Sequence, residues 1–415
     1  MSAPDVLSQL DREMAAVGMR HRAFDCDETA LHEPRPTVRA AKGLYLWLED
    51  DDRPYLDLIQ GYSTTIFGHS DDELVDYASR ALRIVDHVSG MTSRPREELA
   101  NLLAVVSPVD DGRVYFDVGG AHIVSLAVRL ARRVTGRRRI LALCDGFHGY
   151  SSEGEVLGQT FIDGTGMAAQ DPDIDLIEIG SDELDSRLDS GRYAAMLIEP
   201  LQGANGLVPL PHEWVAMARA ATRRAGTLLI ADEVQVGVGR TGSFAAIARY
   251  GTRPDVIAYG KALCAGIFPL SALVVSGTVY RQIPGWPCSA LGSTFSCTPF
   301  GCAVGLHVAQ RVDALLDSGR VDALGRLIGA RLVRLSGQGG IVGVRQYGLG
   351  IAIDFADSAA ARRFVRAARS QYGLVYACGR AGNVVKLYPP YTTTDAEAQE
   401  IVNFIEAVQA HSMTA

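Results

Sequence analysis

At 415 residues the chain exceeds one ordinary domain and has enough length to bury a sizeable core, which predicts a large unit and a smaller one. A formal net charge of −8 and a pI near 5.6 argue against nucleic acid or an anionic membrane as partner, and no run approaches the roughly 18 apolar residues of a membrane span. The opening MSAPDVLSQLDREM lacks an apolar leader segment, and seven cysteines (Cys26, Cys144, Cys264, Cys288, Cys297, Cys302, Cys378) are odd in number without CxxC spacing; both predict a cytoplasmic protein with reduced thiols and no metal site.

Residues 1–33 read as an arm or a frayed helix. From Pro34, GLYLWLEDDDRPYLDLIQGYSTTIFGH alternates apolar and polar residues about the acidic turn Glu49–Asp52 and predicts a hairpin. Helical periodicity covers Asp72–Asp86 and Arg96–Ser107. RVYFDVGGAHIVSLAVRL then predicts a strand, a glycine pair, and a helix with Ile123, Leu126, Ala127 and Leu130 on its apolar face. A Gly-Gly turn admits close backbone approach and the free N–H groups of a helix start bind anions, so Gly119, Gly120 and Ala121 form the candidate phosphate loop. Neither a full GxGxxG nor a GK[ST] P-loop is present. RRILALCD is a further strand, 160–190 an Asp/Gly-rich loop with a short helix Asp182–Leu188, and Pro211–Ala225 a helix crossing back to the sheet.

Three short apolar runs, Ala194–Ile198, Thr227–Ala231 and Asp255–Tyr259, each end in a polar or Gly-rich turn, the pattern of buried parallel strands. The ligand crevice of an open α/β sheet lies beyond the carboxyl ends of such strands, so Glu199, Asp232 and Lys261 converge there. A carboxylate and an amine in one crevice fit pyridoxal 5′-phosphate: the lysine condenses with the cofactor aldehyde, and the aspartate keeps the pyridine nitrogen protonated. The competing reading is a salt bridge between unrelated surface loops. Composition weighs against it. Of 40 basic residues only Lys42, Lys261 and Lys386 are lysines, and the arginine used everywhere else is never deprotonated, so it makes a poor imine nucleophile.

From about Arg311 a smaller α/β unit begins. It comprises a long helix Val308–Leu335, strands within GVRQYGLGIAIDF and NVVKLYPP, a helix Ala359–Arg369, and a last helix opened by Thr394 and Glu397 at capping-box spacing. The division is an N-terminal arm and hairpin at 1–60 packing with the small domain, a large cofactor-binding domain at 61–305, and a small domain at 306–415.

LIEPLQG, LLIADEVQVGVGRTG and AYGKALCAGIFPLSALV resemble the central motifs of the class III (omega) aminotransferases, fold type I pyridoxal phosphate enzymes, and the resemblance runs from about Pro34 to the C-terminal helix. It implies an α/β fold whose large domain has a mostly parallel seven-stranded sheet flanked by helices, with a smaller α/β domain. It also implies pyridoxal 5′-phosphate as cofactor and a homodimer with active sites at the interface. Lys261 and Asp232 are then catalytic, and Glu199 joins the cofactor site. Phe147 of GFHG lies on one face of the ring and Val234 on the other, His148 orients Asp232 or else is an ordinary capping histidine, and Gln235 approaches the ring hydroxyl. Thr294 of LGSTFSCTP reaches the partner subunit's phosphate, its alternative being a helix N-cap. Tyr62 of GYS meets substrate or else is a core aromatic. Arg240 of GRTGSF is structural.

The chain departs from the family pattern at several positions. The serine and glutamate of S-G-A-E-A are Gly119 and His122, and the arginine of H-G-R-T is Tyr150. The glutamate of E-P-x-Q-G-E-G-G is Ala204, and the arginine of N-V-V-R-x-x-P-P is Lys386. In many family members the last two form an ion pair that opens for a carboxylate substrate. Ala204 abolishes that switch, and a lysine cannot grip a carboxylate bidentately, although a monodentate contact stays open to it. The expectation is an aminotransferase working on a small-molecule amino donor and carbonyl acceptor, at least one of which lacks the usual carboxylate pair: a diamine, an amino sugar-like unit or an aminoketone. Aminomutases, racemases and decarboxylases use the same lysine and aspartate, and a degenerate binding protein would retain only the scaffold.

Overall fold

A computed structural model describes residues 37–88, 91–151, 172–283 and 293–413. The N-terminal arm read at 1–33 lies outside the described residues, as do Cys26 and Cys288. The central sheet has seven strands in the spatial order Arg113–Asp117, Ser271–Val275, Val256–Tyr259, Leu228–Asp232, Tyr193–Ile198, Arg139–Leu143, Ile174–Ile177. All run parallel except Ser271–Val275, which is antiparallel to both neighbours.

The near-continuous apolar runs follow from burial on both faces. Ile140, Ala142, Leu197, Ile230 and Ala258 pack on the helix Gly120–Thr135 through Ile123, Ala127 and Leu130, whereas Leu141, Met196, Leu229 and Ile257 join the larger core on the opposite side. Side chains alternate along a strand, so a strand covered on both sides needs an apolar residue at every position.

The strands read from sequence at Ala194–Ile198, Thr227–Ala231 and Asp255–Tyr259 are present within a residue of those bounds. Three expectations need correction. The 160–190 loop contains an edge strand, Ile174–Ile177, whose Asp175 is not a loop residue: it pairs with Arg139 at 2.6 Å and accepts the Tyr193 hydroxyl at 2.7 Å. The single long helix Val308–Leu335 is two helices, Pro299–Asp317 and Arg320–Leu332, separated at Gly319, whose φ of 69° is left-handed and interrupts helical propagation. The helix from Asp72 ends at Leu82 rather than Asp86.

A second sheet, Ile341–Tyr347, Gly350–Phe355, Val384–Leu387 and Tyr376–Cys378, is antiparallel throughout. Its closing helix Asp395–Ser412 carries the capping box read from Thr394 and Glu397. The N-terminal hairpin strand Asp51–Asp57 takes Gly373–Leu374 as a parallel neighbour, so the start of the described chain is stitched to its last third. Arg240 is wholly buried and donates to the carbonyls of Leu349 at 3.1 Å and Pro389 at 2.8 Å, tying the turn after Asp232 to the second sheet.

Candidate active site

Asp232 ends its strand and pairs in register with Ala258 of the neighbouring parallel strand, three residues before Lys261. Both side chains therefore leave the sheet at adjacent carboxyl ends. Asp232 is buried, accepts the Val234 N–H at 3.0 Å, and faces His148 Nδ1 at 2.7 Å. Burial opposes a charge on His148, but its hydrogen bond with Asp232 and the charges of Asp232 and Glu199 outweigh that penalty and raise its pKa. Among the described residues its buried Nε2 has no hydrogen-bond partner.

Glu199 follows the last residue of the strand Tyr193–Ile198 and accepts the backbone N–H groups of Phe147 and Gly203, each at 2.9 Å. Burial, with the charge of Asp232 adding to it, pushes this carboxyl up to about 6 against the opposing pull of His148 and the two amides. Glu199 thus staples the loop bearing Phe147 to the loop bearing Gly203.

Lys261 opens a short 3-10 turn with a φ of 40°, a left-handed conformation uncommon outside glycine. Among the described residues its amine has no hydrogen bond or ion pair. Burial, then the cation of Lys386, push it down to about 8, while Glu199 and Asp232 pull the other way.

The helix Gly120–Thr135 starts at an uncapped Gly119, leaving its first N–H groups free, and Ser271 Oγ donates to the Gly119 carbonyl at 3.1 Å. A methyl group on Gly120 would lie 2.7 Å from Val234 Cγ1, and one on Gly260 would lie 3.2 Å from the same atom. The helix start, Val234 and the turn into Lys261 are therefore in mutual contact. Gly149, with a φ of 94°, brings the Phe147–Tyr150 loop onto the same helix start, since a Cβ there would meet that of Ala121 at 2.6 Å. Gln235 lies on Gly203, where a Cβ would fall 2.0 Å from its Oε1.

At the other end of the crevice, Gln60, Gly61, Tyr62 and Ser63 are all left-handed, with φ of 47°, 56°, 55° and 77°. Tyr62 is 56% exposed, which removes the core-aromatic alternative; its ring meets that of Tyr376 edge-on at 5.1 Å. Tyr150 is 76% exposed and edge-on to Phe147 at 5.3 Å. Lys386 is buried and donates to the Gly203 carbonyl at 2.6 Å, with the Tyr376 and Tyr388 ring centroids 5.2 and 5.6 Å from its Nζ. Thr294 is exposed and caps nothing; the following helix is capped by Thr298, which accepts from the Gly301 N–H at 3.2 Å.

Sequence reasoning overlooked Tyr376 and Gly203, which share the lysine's surroundings only because the register sets Tyr376 opposite Lys386 and a loop from the first sheet reaches both. It also overlooked Glu233, next to Asp232 and buried, which accepts the Ala246 and Ile247 N–H groups at 2.5 and 2.8 Å and is pushed up to about 8 by burial.

An amine without a hydrogen bond among the described residues, a buried carboxylate fixed by a histidine, and an uncapped helix start at which Gly120 leaves no room for a Cβ together fit pyridoxal 5′-phosphate: they match its aldehyde, its ring nitrogen and its phosphate. The family description "Aminotransferase class-III" matches residues 29–408. The chain belongs to the class III aminotransferases. An acetylornithine aminotransferase of Corynebacterium efficiens is 31% identical over 371 residues, spanning 87% of this chain and 89% of that one. The acetylornithine aminotransferase of Streptomyces coelicolor is 34% identical over 302 residues, 71% of each. Among solved structures, the ornithine aminotransferase of Toxoplasma gondii has a TM-score of 0.84 at 24% identity, covering 97% of this chain and 98% of the other. A pyridoxal-phosphate-bound amine transaminase from an uncultivated Pseudomonas species reaches 0.81 at 25% identity, covering 95% and 98%. As a class III aminotransferase the chain is a pyridoxal phosphate enzyme of fold type I.

Proposed function

We propose that this aminotransferase moves an amino group between a donor and a carbonyl acceptor of which at least one lacks the carboxylate pair common in the family, such as a diamine or an aminoketone. The observation that carries this reading is Lys386: a single ammonium, already engaged by the Gly203 carbonyl, stands where a guanidinium fork would be needed, and Ala204 offers no carboxylate to gate it. Tyr62 and Tyr150, both exposed at the crevice, are assigned to substrate contact with Lys386.

Bound pyridoxal phosphate supplies an aldehyde that condenses with amines and a protonated ring that draws electrons from the substrate carbon. Asp232 keeps the ring nitrogen protonated, and His148 holds Asp232 in place. Gly119, Gly120 and Ala121 would hold the phosphate on the N–H groups of the uncapped helix start, and Phe147, Val234, Gln235 and Glu199 would hold the ring. Lys261 would hold the cofactor through its amine and would serve as general base and acid for the proton at the substrate carbon.

Thr294 is assigned to the partner subunit's phosphate site. Its exposure, together with the apolar groove bordered by Ile84, Val85, Pro95 and Pro299 and the exposed side chains of Met91 and Phe295, supports a homodimer burying this face. We further infer domain limits near residues 60 and 305 and residence in the cytoplasm, the latter from unpaired cysteines. No described helix is long and apolar enough to cross a membrane.

A panel of amines and amino acids scored by bleaching of the bound cofactor tests the substrate reading. Amines without an α-carboxylate should bleach it fastest. If glutamate and 2-oxoglutarate prove the best pair, and Lys386→Ala removes only their binding, the altered-recognition reading fails. For the dimer, inactive Lys261→Ala and Thr294→Ala chains mixed together should regain activity, because one mixed site has both groups intact.

A further inference from the structure

Tyr376 and Lys386 are opposed residues of two antiparallel strands, and opposed side chains share one face of a sheet, so the tyrosine ring comes against the amine with its centroid 5.2 Å from Nζ. The Tyr388 ring centroid lies 5.6 Å from Nζ, which donates to the Gly203 carbonyl at 2.6 Å, and Lys386 is left 1% exposed. Tyr376 itself is partly exposed and meets the Tyr62 ring edge-on at 5.1 Å. Tyr62 stands on the left-handed run Gln60–Ser63, a costly backbone that persists only where its surroundings over-determine it. Here the buried Asp57 carboxylate accepts the Ile59 N–H at 2.8 Å and the Gln60 N–H at 3.2 Å, and Ser63 Oγ donates to the Gln235 carbonyl at 3.5 Å. Gly203, pressed so closely on the Gln235 side chain that a Cβ has no room, completes the circuit, and the Gly379 N–H ties the end of the Tyr376 strand to the Ala204 carbonyl at 3.1 Å. Tyr62, Tyr376, Lys386, Gly203 and Gln235 thus form a closed ring of contacts in which the aromatic rings face solvent and the amine does not.

A carboxylate brought to this wall sheds water and meets ring carbon, whereas an apolar or aromatic group gains edge and face contacts there. We propose that Tyr376 is a specificity-determining residue: it screens the Lys386 amine from the crevice and, with Tyr62, makes the substrate end an aromatic slot for an amine whose far end is an aryl or alkyl group. This rests on the reading of that end of the crevice as the substrate site, and narrows it. The inference holds for either protonation state of Lys386, because what the ring blocks is access. It also accounts for Ala204, since an amine shut behind a ring needs no carboxylate to cover it.

Benzylamine and 4-(aminomethyl)benzoate differ by one carboxylate and make a matched pair of probes. The full-length holoenzyme is mixed with each, and the rate and half-saturating concentration of cofactor bleaching are measured. Wild type should prefer benzylamine. Tyr376→Ala should move the ratio of the two toward the carboxylate by about tenfold, chiefly through the half-saturating concentration, and Tyr376→Phe, which keeps the ring, should leave it in place. Adding Lys386→Met to Tyr376→Ala should abolish the gain, because the uncovered amine is what the carboxylate reaches. Should Tyr376→Ala fail to fold, Tyr62→Ala removes a mostly exposed ring that braces Tyr376 and should move the ratio the same way by about threefold. A wild type that prefers 4-(aminomethyl)benzoate overturns the substrate reading and this inference with it. A wild type that prefers benzylamine, with a ratio unmoved by Tyr376→Ala or Tyr62→Ala or a gain that survives Lys386→Met, overturns the role of Tyr376 alone.

Discussion

The two ends of the crevice are built by different rules. At the cofactor end the two carboxylates have buried, short-range partners, Asp232 with His148 and the Val234 amide and Glu199 with two backbone amides, while the Lys261 amine has none among the described residues. At the end proposed for substrate Tyr62 is mostly exposed and the Lys386 amine hangs from the Gly203 carbonyl, while Tyr150, also exposed, stands beside Phe147. The cofactor demands the same contacts from any chain that uses it, so geometry there is over-determined. The substrate end answers to one chain's chemistry, and Ala204 and Lys386 leave the family pattern there, as Gly119 and His122 do at the start of the helix Gly120–Thr135.

The sharpest way to break the contrast is Lys261→Ala, which should lower transamination by about 10⁴-fold without unfolding the chain, since general acid–base groups contribute up to that range. Residual turnover close to wild type would put the chemistry elsewhere. His148→Gln, acting through Asp232, should cost about 10–100-fold in kcat with the protein still coloured, as supporting hydrogen bonds typically do. Gly120→Ala sets a methyl 2.7 Å from Val234 Cγ1 and should cost about 1–3 kcal/mol in thermal or denaturant unfolding, recovered in part by adding Val234→Ala.

The pH dependence of cofactor uptake refines the same picture. With Lys261 pushed down from 10.5 to about 8, the second-order rate of cofactor capture should climb about tenfold per pH unit below 8 and level off above it. The sign for stability follows from proton counting. Between about 8 and 10.5 the unfolded chain binds the lysine proton and the folded one does not, so this group's contribution to stability grows as pH rises through that window. The smallest effect belongs to Tyr150→Ala, whose exposed ring should leave stability within about 0.5 kcal/mol while reordering the amine panel. An unchanged order would remove Tyr150 from the substrate site.

Much of this was legible before any coordinates. The strand ends at Glu199, Asp232 and Lys261, the glycine start of the helix Gly120–Thr135 and the Thr394 capping box are local patterns, and local patterns survive folding. The edge strand Ile174–Ile177 was not legible, because Asp175 reads as loop until Arg139 lies beside it. The break at Gly319 was hidden as well, since apolar periodicity continues on both sides of it. The cap considered at Thr294 falls instead on Thr298, where Pro299 opens the observed helix and the Gly301 N–H reaches the threonine side chain.

By itself the sequence determined which residue types stand at which strand ends, and with them the family and the cofactor. Tertiary structure alone decided that Tyr376, Gly203 and Lys386 meet, and that Tyr62 faces outward on a run of left-handed residues. The reason is distance along the chain. Gly203 lies in a loop of the first sheet and Lys386 in a strand of the second, and no local periodicity links them until the sheets pack.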